Sequence, residues 1–249
     1  MTSIPKIIHY CWFGRNPLPE YAVKCISSWR KYFPGYVIKE WNEDNFDVNC
    51  CDYVREAYEA KKYAFVSDYA RFDILYREGG LYFDVDVEVI KPFDDILEKG
   101  GFMGSETVVK LPERGISVAP GLGLSTIPGH WIIKELVDGY HIRHFLKEDE
   151  TPDTTTICVY TTEILKKHGL QETNDIQCID GIYIYPKDYF CPLDYFSGKL
   201  EITENTHSIH RYMASWNSAA ENRKTLIKHI LGPKLSKFVG RMLHGRQEK

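Results

Sequence analysis

The order of secondary-structure signals near the amino terminus constrains the fold of this chain most strongly. An apolar run at residues 6–12, KIIHYCW, predicts a buried strand, and His9 in its middle is expected to be a core residue. Residues 20–33 predict a helix that ends before a Pro-Gly pair, and residues 36–41 predict a second strand. A strand, a helix and a strand in this order predict the start of an α/β sheet.

A second helix and strand follow. Residues 63–78 carry aromatic side chains at helical spacing, and Gly79-Gly80 ends this predicted helix. Residues 81–89, rich in valine and aromatic residues, predict a strand. Residues 100–156 are rich in loops. Further helices are predicted at 129–145, 156–168 and 219–243, and a short strand at 182–185.

Composition and charge place the chain among ordinary globular proteins. Its 249 residues are 43% hydrophobic and 27% charged, which suits one large domain with a buried core. The formal net charge of −4 argues against a nucleic-acid-binding protein. The charge is uneven, because residues 222–249 carry +7 and the rest of the chain carries −11. We therefore predict one domain over residues 1–218 and a basic tail over 219–249.

Neither a membrane span nor a secretory signal is expected. No run of about 18 apolar residues occurs, and the first residues lack a basic segment followed by an apolar one. The seven cysteines are an odd number, without a CxxC pair or a ladder of cysteine and histidine. This pattern indicates reduced thiols in the cytosol.

The segment LYFDVDVEV at residues 81–89 carries the most specific chemical signal. In a strand alternate side chains share a face, so Asp84, Asp86 and Glu88 are expected to project together. Carboxylates on one face repel each other unless a cation lies between them. A divalent ion such as Mg²⁺ or Mn²⁺ suits hard oxygen ligands and keeps open positions for phosphate oxygens.

Two other arrangements also fit the acidic pair. The pair can be the solvated face of an edge strand, although its apolar flanks and the preceding Gly-Gly turn argue against this. Phosphatases of the haloacid dehalogenase type also carry D-x-D after a hydrophobic strand, with the first Asp as nucleophile. They have Thr or Val two residues after the second Asp, where this chain has Glu88.

The helix before the acidic pair carries a polar couple. Asp68 and Arg71 lie three residues apart, which is roughly 60° around a helix axis. The couple is either a local i,i+3 ion pair or a group held at the edge of the sheet. At such an edge Arg can bind phosphate and Asp can accept hydrogen bonds from sugar hydroxyls. The Gly-Gly turn lets this helix and the acidic strand converge on one site.

Three segments of the chain belong together in known proteins. They are IPKIIHYCWFG at residues 4–14, SDYARFDILYREGGLYFDVD at 67–86 and IHRYMASW at 209–216. In order, spacing and flanks they resemble glycosyltransferase family 32, whose members carry a DXD sugar-binding region. The family includes yeast initiating mannosyltransferases and bacterial capsule glycosyltransferases. A more distant likeness extends to the glucosyltransferase domain of large clostridial toxins.

The resemblance implies a GT-A fold, in which one mixed α/β sheet of Rossmann-like type binds a sugar nucleotide. It implies that the transferred sugar retains its anomeric configuration. By position, Asp84 and Asp86 would be the DXD pair that binds a metal, with Asp86 the more direct ligand. Asp68 and Arg71 would contact the donor sugar, and Trp12 would stack on the nucleotide base.

The carboxyl-terminal motif would close the phosphate site. The resemblance implies His210 as a further metal ligand, and Ser215 and Trp216 as hydrogen-bond donors to the diphosphate. Structural alternatives remain, because Trp12 ends an apolar strand, His210 can be a structural histidine and Trp216 can be a packing anchor. His207 competes with His210 as a ligand.

The basic tail suggests a location. Apolar residues recur at helical spacing over residues 226–243, with Lys and Arg at the other positions. A basic amphipathic helix is typical of a membrane-surface element, where each basic residue contributes about 1 kcal/mol. The alternative is a helix whose basic face packs against the acidic body. The membrane interpretation predicts a cytoplasmic protein, peripheral on the inner face of the plasma membrane, and fits a lipid-linked acceptor.

The sequence therefore predicts a metal-dependent, retaining hexosyltransferase. It is expected to use Mn²⁺ or Mg²⁺ and to move a sugar from a nucleotide-sugar donor to a glycan or lipid-linked glycan. The toxin likeness favours a UDP-sugar over a GDP-sugar, and the bacterial relatives favour surface (capsular) polysaccharide synthesis. The alternative is a non-catalytic module that binds a sugar nucleotide or a divalent metal. No nucleic-acid partner is expected.

Overall fold

The first strand–helix–strand unit forms as the sequence predicts. In the computed structural model, which describes residues 3–195 and 197–213, it consists of β1 (Ile7–Cys11), α1 (Glu20–Tyr32) and β2 (Val37–Trp41). The two strands pair in parallel, because α1 carries the chain back across the sheet before β2 begins. Pro34-Gly35 separates α1 from β2, and Gly35 adopts the left-handed conformation at φ +82°.

The remaining elements include several short strands. The strands are β3 (Gly80–Tyr82), β4 (Val87–Val89), β5 (Gly101–Gly104), β6 (Leu124–Thr126), β7 (Gln177–Ile179), β8 (Ile182–Tyr185) and β9 (Ser208–His210). The helices are α2 (Asp52–Glu59), α3 (Tyr63–Glu78), α4 (Asp94–Leu97), α5 (Trp131–His141), α6 (Ile157–Lys167) and α7 (Lys187–Phe190), with a 3₁₀ turn at Pro120–Leu122.

Seven of the described strands form one mixed sheet in the order β2-β1-β3-β6-β5-β8-β7. The pairs β1–β2, β1–β3 and β5–β8 are parallel, and the pairs β3–β6, β5–β6 and β7–β8 are antiparallel. The carboxyl ends of β1, β2, β3, β5 and β8 therefore share one edge of the sheet. Ligands of open α/β sheets bind at that edge.

The expected fold class is confirmed. The chain has an α/β architecture with one mixed sheet flanked by helices, as the GT-A resemblance implies. A small second sheet, made of β4 and β9, lies beside it and was not predicted. Two hydrophobic clusters cover the large sheet: one includes residues of α2, α3, α5 and α6, and the other includes residues of α1, β4 and α7.

The turn between α3 and β3 requires glycine. Gly79 and Gly80 have φ values of +63° and +94°, which side chains with a Cβ rarely adopt. A Cβ at Gly79 would lie 2.7 Å from the backbone nitrogen of Pro128, and one at Gly80 would lie 2.7 Å from the Ile7 carbonyl oxygen. The pair lets α3 reverse directly into the centre of the sheet, so that α3 and the end of β3 lie side by side.

His9 is a core residue, as predicted. It is fully buried, with Nε2 at 3.0 Å from the Gly79 carbonyl oxygen and Nδ1 accepting a hydrogen bond from the Trp41 indole. Burial lowers the pKa of His9 from 6.5 to about 4, although the Gly79 hydrogen bond and the charge of Glu78 oppose the shift. Because the folded state holds the neutral ring, this residue contributes stability above pH 6.5 that is lost as the pH falls through about 4.

We expect acid to destabilise the wild type more than His9→Gln. Between pH 7 and pH 4 the free energy of unfolding should fall more in the wild type than in His9→Gln, by roughly 3 kcal/mol at most. Urea unfolding at a series of pH values measures it. His144→Gln is the control, because the hydrogen bond and charge of Glu56 raise the pKa of this exposed histidine. Its ion pair stabilises the fold at low pH, so acid should destabilise His144→Gln slightly more than the wild type, the opposite direction to His9→Gln. If the unfolding free energy of His9→Gln fell with pH as steeply as that of the wild type, the result would contradict a neutral, buried His9 ring.

The remaining sequence predictions have mixed outcomes. Helices at 129–145 and 156–168 are present but shorter, as α5 and α6, and the strand at 182–185 has the predicted bounds. All seven cysteines are free. The boundary at 218 and the helix at 219–243 lie outside the described residues. Among the helices at residues 3–195 and 197–213, none is long and apolar enough to cross a membrane.

Candidate active site

The acidic pair lies in a turn between two sheets. Residues 83–86 connect β3 to β4, and the Val87 N–H donates a hydrogen bond to the Asp84 carbonyl oxygen at 3.0 Å. The prediction of one continuous strand over 81–89 is therefore wrong. Because β3 pairs within the large sheet and β4 pairs with β9, the chain must change direction between them.

This turn separates the third carboxylate from the first two. Glu88 lies in β4 opposite Ile209, and the Arg211 Nε donates to its carboxylate at 2.8 Å. Spacing alone places Glu88 beside Asp84 and Asp86, but alternation of side chains applies only within a regular strand. The expected group of three acids is thus a group of two.

His210 reaches the acidic pair through the pairing of β4 with β9. In this antiparallel pair His210 is opposite Val87, the residue after Asp86. Its Nε2 lies 3.1 Å from Oδ1 of Asp86. One ligand atom from each of Asp84, Asp86 and His210 lies within 4.8 Å of the other two. The structure thus brings the three predicted metal ligands together.

Charges compensate each other within this cluster. Burial raises the pKa of Asp86, but the charge and hydrogen bond of His210 and the N–H of Met213, at 2.9 Å, outweigh it and lower the pKa. Burial lowers the pKa of His210, but the charges of Asp86 and Asp84 outweigh that effect and raise it. The imidazolium form therefore neutralises part of the acidic pair.

The residues of the cluster fit a divalent cation. Two carboxylates and one imidazole supply oxygen and nitrogen ligands, and carboxylates suit Mg²⁺ and Mn²⁺. Among the described residues, Asp86 is the single polar partner of the His210 ring, and Nδ1 is buried without one. A cation that takes Nε2 and the Asp86 carboxylate would break no further hydrogen bond of the ring.

A buried guanidinium lies beside Asp84. Arg71 Nη2 is 2.8 Å from Oδ1 of Asp68 and 3.2 Å from Oδ1 of Asp84, and the Arg71 side chain is only 4% exposed. The Tyr82 hydroxyl donates to the same Asp84 oxygen at 3.0 Å. Asp68 and Arg71 therefore form an i,i+3 ion pair that lies at the sheet edge. Their contact with phosphate or sugar hydroxyls stays a prediction.

The electrostatics of this second group differ from those of the first. Burial raises the pKa of Asp68 to about 7, with Arg71 opposing and Asp84 adding to the shift. Burial lowers the pKa of Arg71, but Asp84, Tyr82 and Asp68 outweigh it and raise the pKa. A carboxyl that titrates near neutrality can accept a hydrogen bond or donate one. Perturbed carboxyls of this kind cluster at functional sites.

The opposite wall of the site is backbone. The Asp84 N–H donates to the Gly121 carbonyl oxygen at 3.2 Å. A Cβ on Gly121 would lie 2.0 Å from Oδ2 of Asp84 and 3.1 Å from Nη1 of Arg71, so only glycine permits this approach. Gly121 and the Tyr82 hydroxyl were not predicted from the sequence. For Gly121 a sequence signal exists, because the loop-rich stretch contains a Gly-Leu-Gly triplet at residues 121–123.

Trp12 follows β1 at the same carboxyl edge. Its side chain is half-buried, and the indole Nε1 donates to the Asn16 carbonyl oxygen at 2.6 Å. His207 lies apart from the acidic pair, because its Nε2 contacts Oδ1 of Asp95 at 2.9 Å. Position therefore favours His210 over His207 as the candidate metal ligand. Ser215 and Trp216 lie outside the described residues.

Known proteins share this region of the chain. A family model described as a glycosyltransferase sugar-binding region containing a DXD motif matches residues 19–102, which hold Asp68, Arg71, Asp84 and Asp86. An uncharacterized glycosyltransferase of Acanthamoeba polyphaga mimivirus is 29% identical over 199 residues, covering 76% of this chain and 77% of that protein.

A fungal relative and a solved structure are also similar. Inositol phosphoceramide mannosyltransferase 1 of Schizosaccharomyces pombe is 31% identical over 114 residues, which cover 41% of this chain and 34% of that protein. The solved structure of PaToxG glycosyltransferase aligns with a TM-score of 0.48 and 18% identity, covering 67% of this chain and 70% of that one.

Proposed function

We propose that this chain, a glycosyltransferase with a DXD-containing sugar-binding region, transfers a hexose from a nucleotide-sugar donor with retention of anomeric configuration and with a divalent cation. One observation carries the proposal: the ligand atoms of Asp84, Asp86 and His210 converge within 4.8 Å, beside the buried Asp68–Arg71 pair. A nucleotide sugar presents a diphosphate, which binds cations, next to a neutral sugar, which binds through hydrogen bonds. The two groups of the site match these two parts.

Mn²⁺ or Mg²⁺ would be held by Asp84, Asp86 and His210. Bound there, the ion supplies Lewis-acid stabilisation of the charge that develops on the leaving diphosphate. Hydrogen bonds orient the ligand atoms of this site. The Met213 N–H donates to Oδ2 of Asp86, which leaves Oδ1 facing His210. Arg71 and Tyr82 hold Oδ1 of Asp84 in the same way.

The remaining predicted residues have separate roles in the proposal. Asp68 accepts hydrogen bonds from hydroxyls of the donor sugar, and Arg71 adds positive charge near the diphosphate. Trp12 stacks on the nucleotide base, a contact worth about 1–3 kcal/mol in single-stranded nucleic-acid binders. Ser215 and Trp216 donate hydrogen bonds to the diphosphate. The acceptor hydroxyl attacks the anomeric carbon from the side of the leaving group, and a phosphate oxygen of the donor takes its proton.

The acceptor is proposed to be a glycan or a lipid-linked glycan. Support comes from the fission-yeast relative, named as a mannosyltransferase of inositol phosphoceramide, and from the +7 charge of residues 222–249. This charge suits contact with an anionic membrane surface. We further propose that the protein acts at the inner face of the plasma membrane, in surface polysaccharide synthesis. The proposed donor is a UDP-sugar.

A donor screen tests the proposed function. The full chain is incubated with UDP-glucose, UDP-galactose, UDP-N-acetylglucosamine or GDP-mannose, with Mn²⁺ or with EDTA. Thermal shift reports binding, and release of free nucleotide reports hydrolysis. We expect one donor to stabilise the protein and to be hydrolysed with Mn²⁺ alone. Stabilisation without any product would favour the non-catalytic binding module, and full turnover in EDTA would contradict the metal role.

A further inference from the structure

Glu106 is a carboxylate that the proposed function does not use. It is half-buried and lies two residues after β5, at the same edge of the sheet as the turn that carries Asp84 and Asp86. Its Oε1 accepts a hydrogen bond from the Ser117 hydroxyl at 2.9 Å. Within residues 3–195 and 197–213, no basic side chain forms an ion pair with Glu106.

The segment that holds Glu106 also contacts the DXD turn. The Glu106 N–H donates to the Ser117 carbonyl oxygen at 2.9 Å, and Val118 forms a bridge with Ser105. Four residues after Ser117, Gly121 packs against Asp84. One short stretch of chain therefore positions Glu106 relative to Asp84, so the Glu106 carboxylate belongs to the rim of the same site.

Electrostatic effects on buried neighbours indicate that Glu106 lies near both charged groups of the site. The pKa of Cys158, on α6, is raised first by burial and then by the charges of Glu106 and Asp68, with Arg71 opposing. Burial lowers the pKa of His210, and the charges of Asp86, Asp84 and Glu106, in that order, outweigh this effect and raise the pKa. The Glu106 carboxylate therefore lies within electrostatic range of both charged groups of the site.

Among the residues that the structure describes, Glu106 is the carboxylate of the site without a positive partner. Asp68 and Asp84 share Arg71, and Asp86 has His210. A half-buried carboxylate without a cation needs hydrogen-bond donors. Like charges repel, so a diphosphate is excluded from this position. The hydroxyl groups of a neutral sugar are donors without charge, and they satisfy both requirements.

We propose that Glu106 binds the donor sugar: its Oε2 accepts hydrogen bonds from hydroxyls of the transferred hexose. This proposal rests on the proposed function, because it needs a nucleotide sugar whose diphosphate lies at Asp84 and Asp86. It predicts that Glu106 contributes to the affinity for the sugar part of the donor and not to the affinity for the nucleotide diphosphate.

Isothermal titration of the full chain in Mn²⁺ tests this prediction. UDP-glucose, UDP-galactose, UDP-N-acetylglucosamine and GDP-mannose are each compared with UDP or GDP alone, in the wild type and in Glu106→Gln. We expect Glu106→Gln to weaken binding of the donor that the wild type hydrolyses fastest by about 10- to 100-fold, because a hydrogen bond to a charged group is lost. The affinity for the free nucleotide diphosphate should stay unchanged or rise slightly.

Two further variants complete the design. Glu113→Gln, at an exposed glutamate of the same loop, is the matched control and should bind both ligands as the wild type does. Glu106→Asp keeps the charge but withdraws it by one methylene, so its affinity for the donor should lie between those of the wild type and Glu106→Gln. This variant tests the role of Glu106 even where Glu106→Gln folds poorly.

Two results would overturn the assignment of Glu106. An equal loss of affinity for UDP and for the UDP-sugar would place Glu106 in the diphosphate or metal site. Unchanged affinity of Glu106→Gln for every donor, with wild-type hydrolysis intact, would remove Glu106 from the sugar site while the proposed function stands. A wild type that neither binds nor hydrolyses any of the four donors would overturn the proposed function and the role of Glu106 with it.

Discussion

Asp86→Asn is expected to reduce donor hydrolysis by about 10²- to 10³-fold in saturating Mn²⁺. The residue Asp86 is 6% exposed, and its carboxylate contacts both His210 and the Met213 N–H, so its oxygens are held toward the proposed cation. Asparagine keeps the shape of the side chain but loses the charge and one ligand oxygen. Steady-state release of UDP or GDP from the donor found in the screen measures the effect.

Glu88→Gln is the matched control for Asp86→Asn. Glu88 is two residues further along the same segment, yet its carboxylate pairs with Arg211 and not with the acidic pair. Hydrolysis by Glu88→Gln should stay within a few-fold of the wild type. Similar losses in both variants would support the single strand face that the sequence predicted and would contradict the separation of Glu88 by the turn.

Arg71→Ala is expected to lower the free energy of unfolding by about 3–5 kcal/mol. The guanidinium is buried and neutralises both Asp68 and Asp84, so its removal leaves two carboxylates partly buried without a cation. The same variant should lose donor hydrolysis, because Asp84 loses one of the groups that orient it. Urea denaturation followed by circular dichroism measures the stability, and added Mn²⁺ should restore part of it.

Arg77→Ala, on the same helix, provides the comparison for Arg71→Ala. Arg77 pairs with Asp73 across one turn, and its side chain is 47% exposed. Exposed pairs of this kind contribute about 1 kcal/mol or less. Equal destabilisation by the two substitutions would contradict the buried, bridging position of Arg71.

The helix α3 and the DXD turn show what the sequence could and could not predict about the fold. Tyr63–Glu78 has the predicted bounds, because helical periodicity and the Gly-Gly pair are both local signals. The acidic segment was predicted as one strand, because alternation of residues does not reveal that β3 and β4 pair in different sheets. Strands of three residues, such as β9, carry too little periodicity to be predicted.

The candidate site shows the same limit. The resemblance to DXD glycosyltransferases implied that Asp84, Asp86 and His210 meet, and the structure brings these three side chains together. The family match confirms the resemblance itself. The contact of Gly121 with Asp84 depends on packing between distant segments, so the sequence did not predict it. The roles of Ser215 and Trp216, the tail and the retaining stereochemistry stay predictions.

The central claim is that Asp84, Asp86 and His210 hold a divalent cation. Its most direct test is a titration of the full chain with Mn²⁺ in the presence of UDP, in which electron paramagnetic resonance measures the bound ion. If Asp84, Asp86 and His210 hold the cation, the wild type binds one Mn²⁺ tightly, and His210→Ala and Asp86→Asn each weaken that binding at least about 10-fold. Wild-type stoichiometry and affinity in both variants would contradict the metal site and the mechanism built on it.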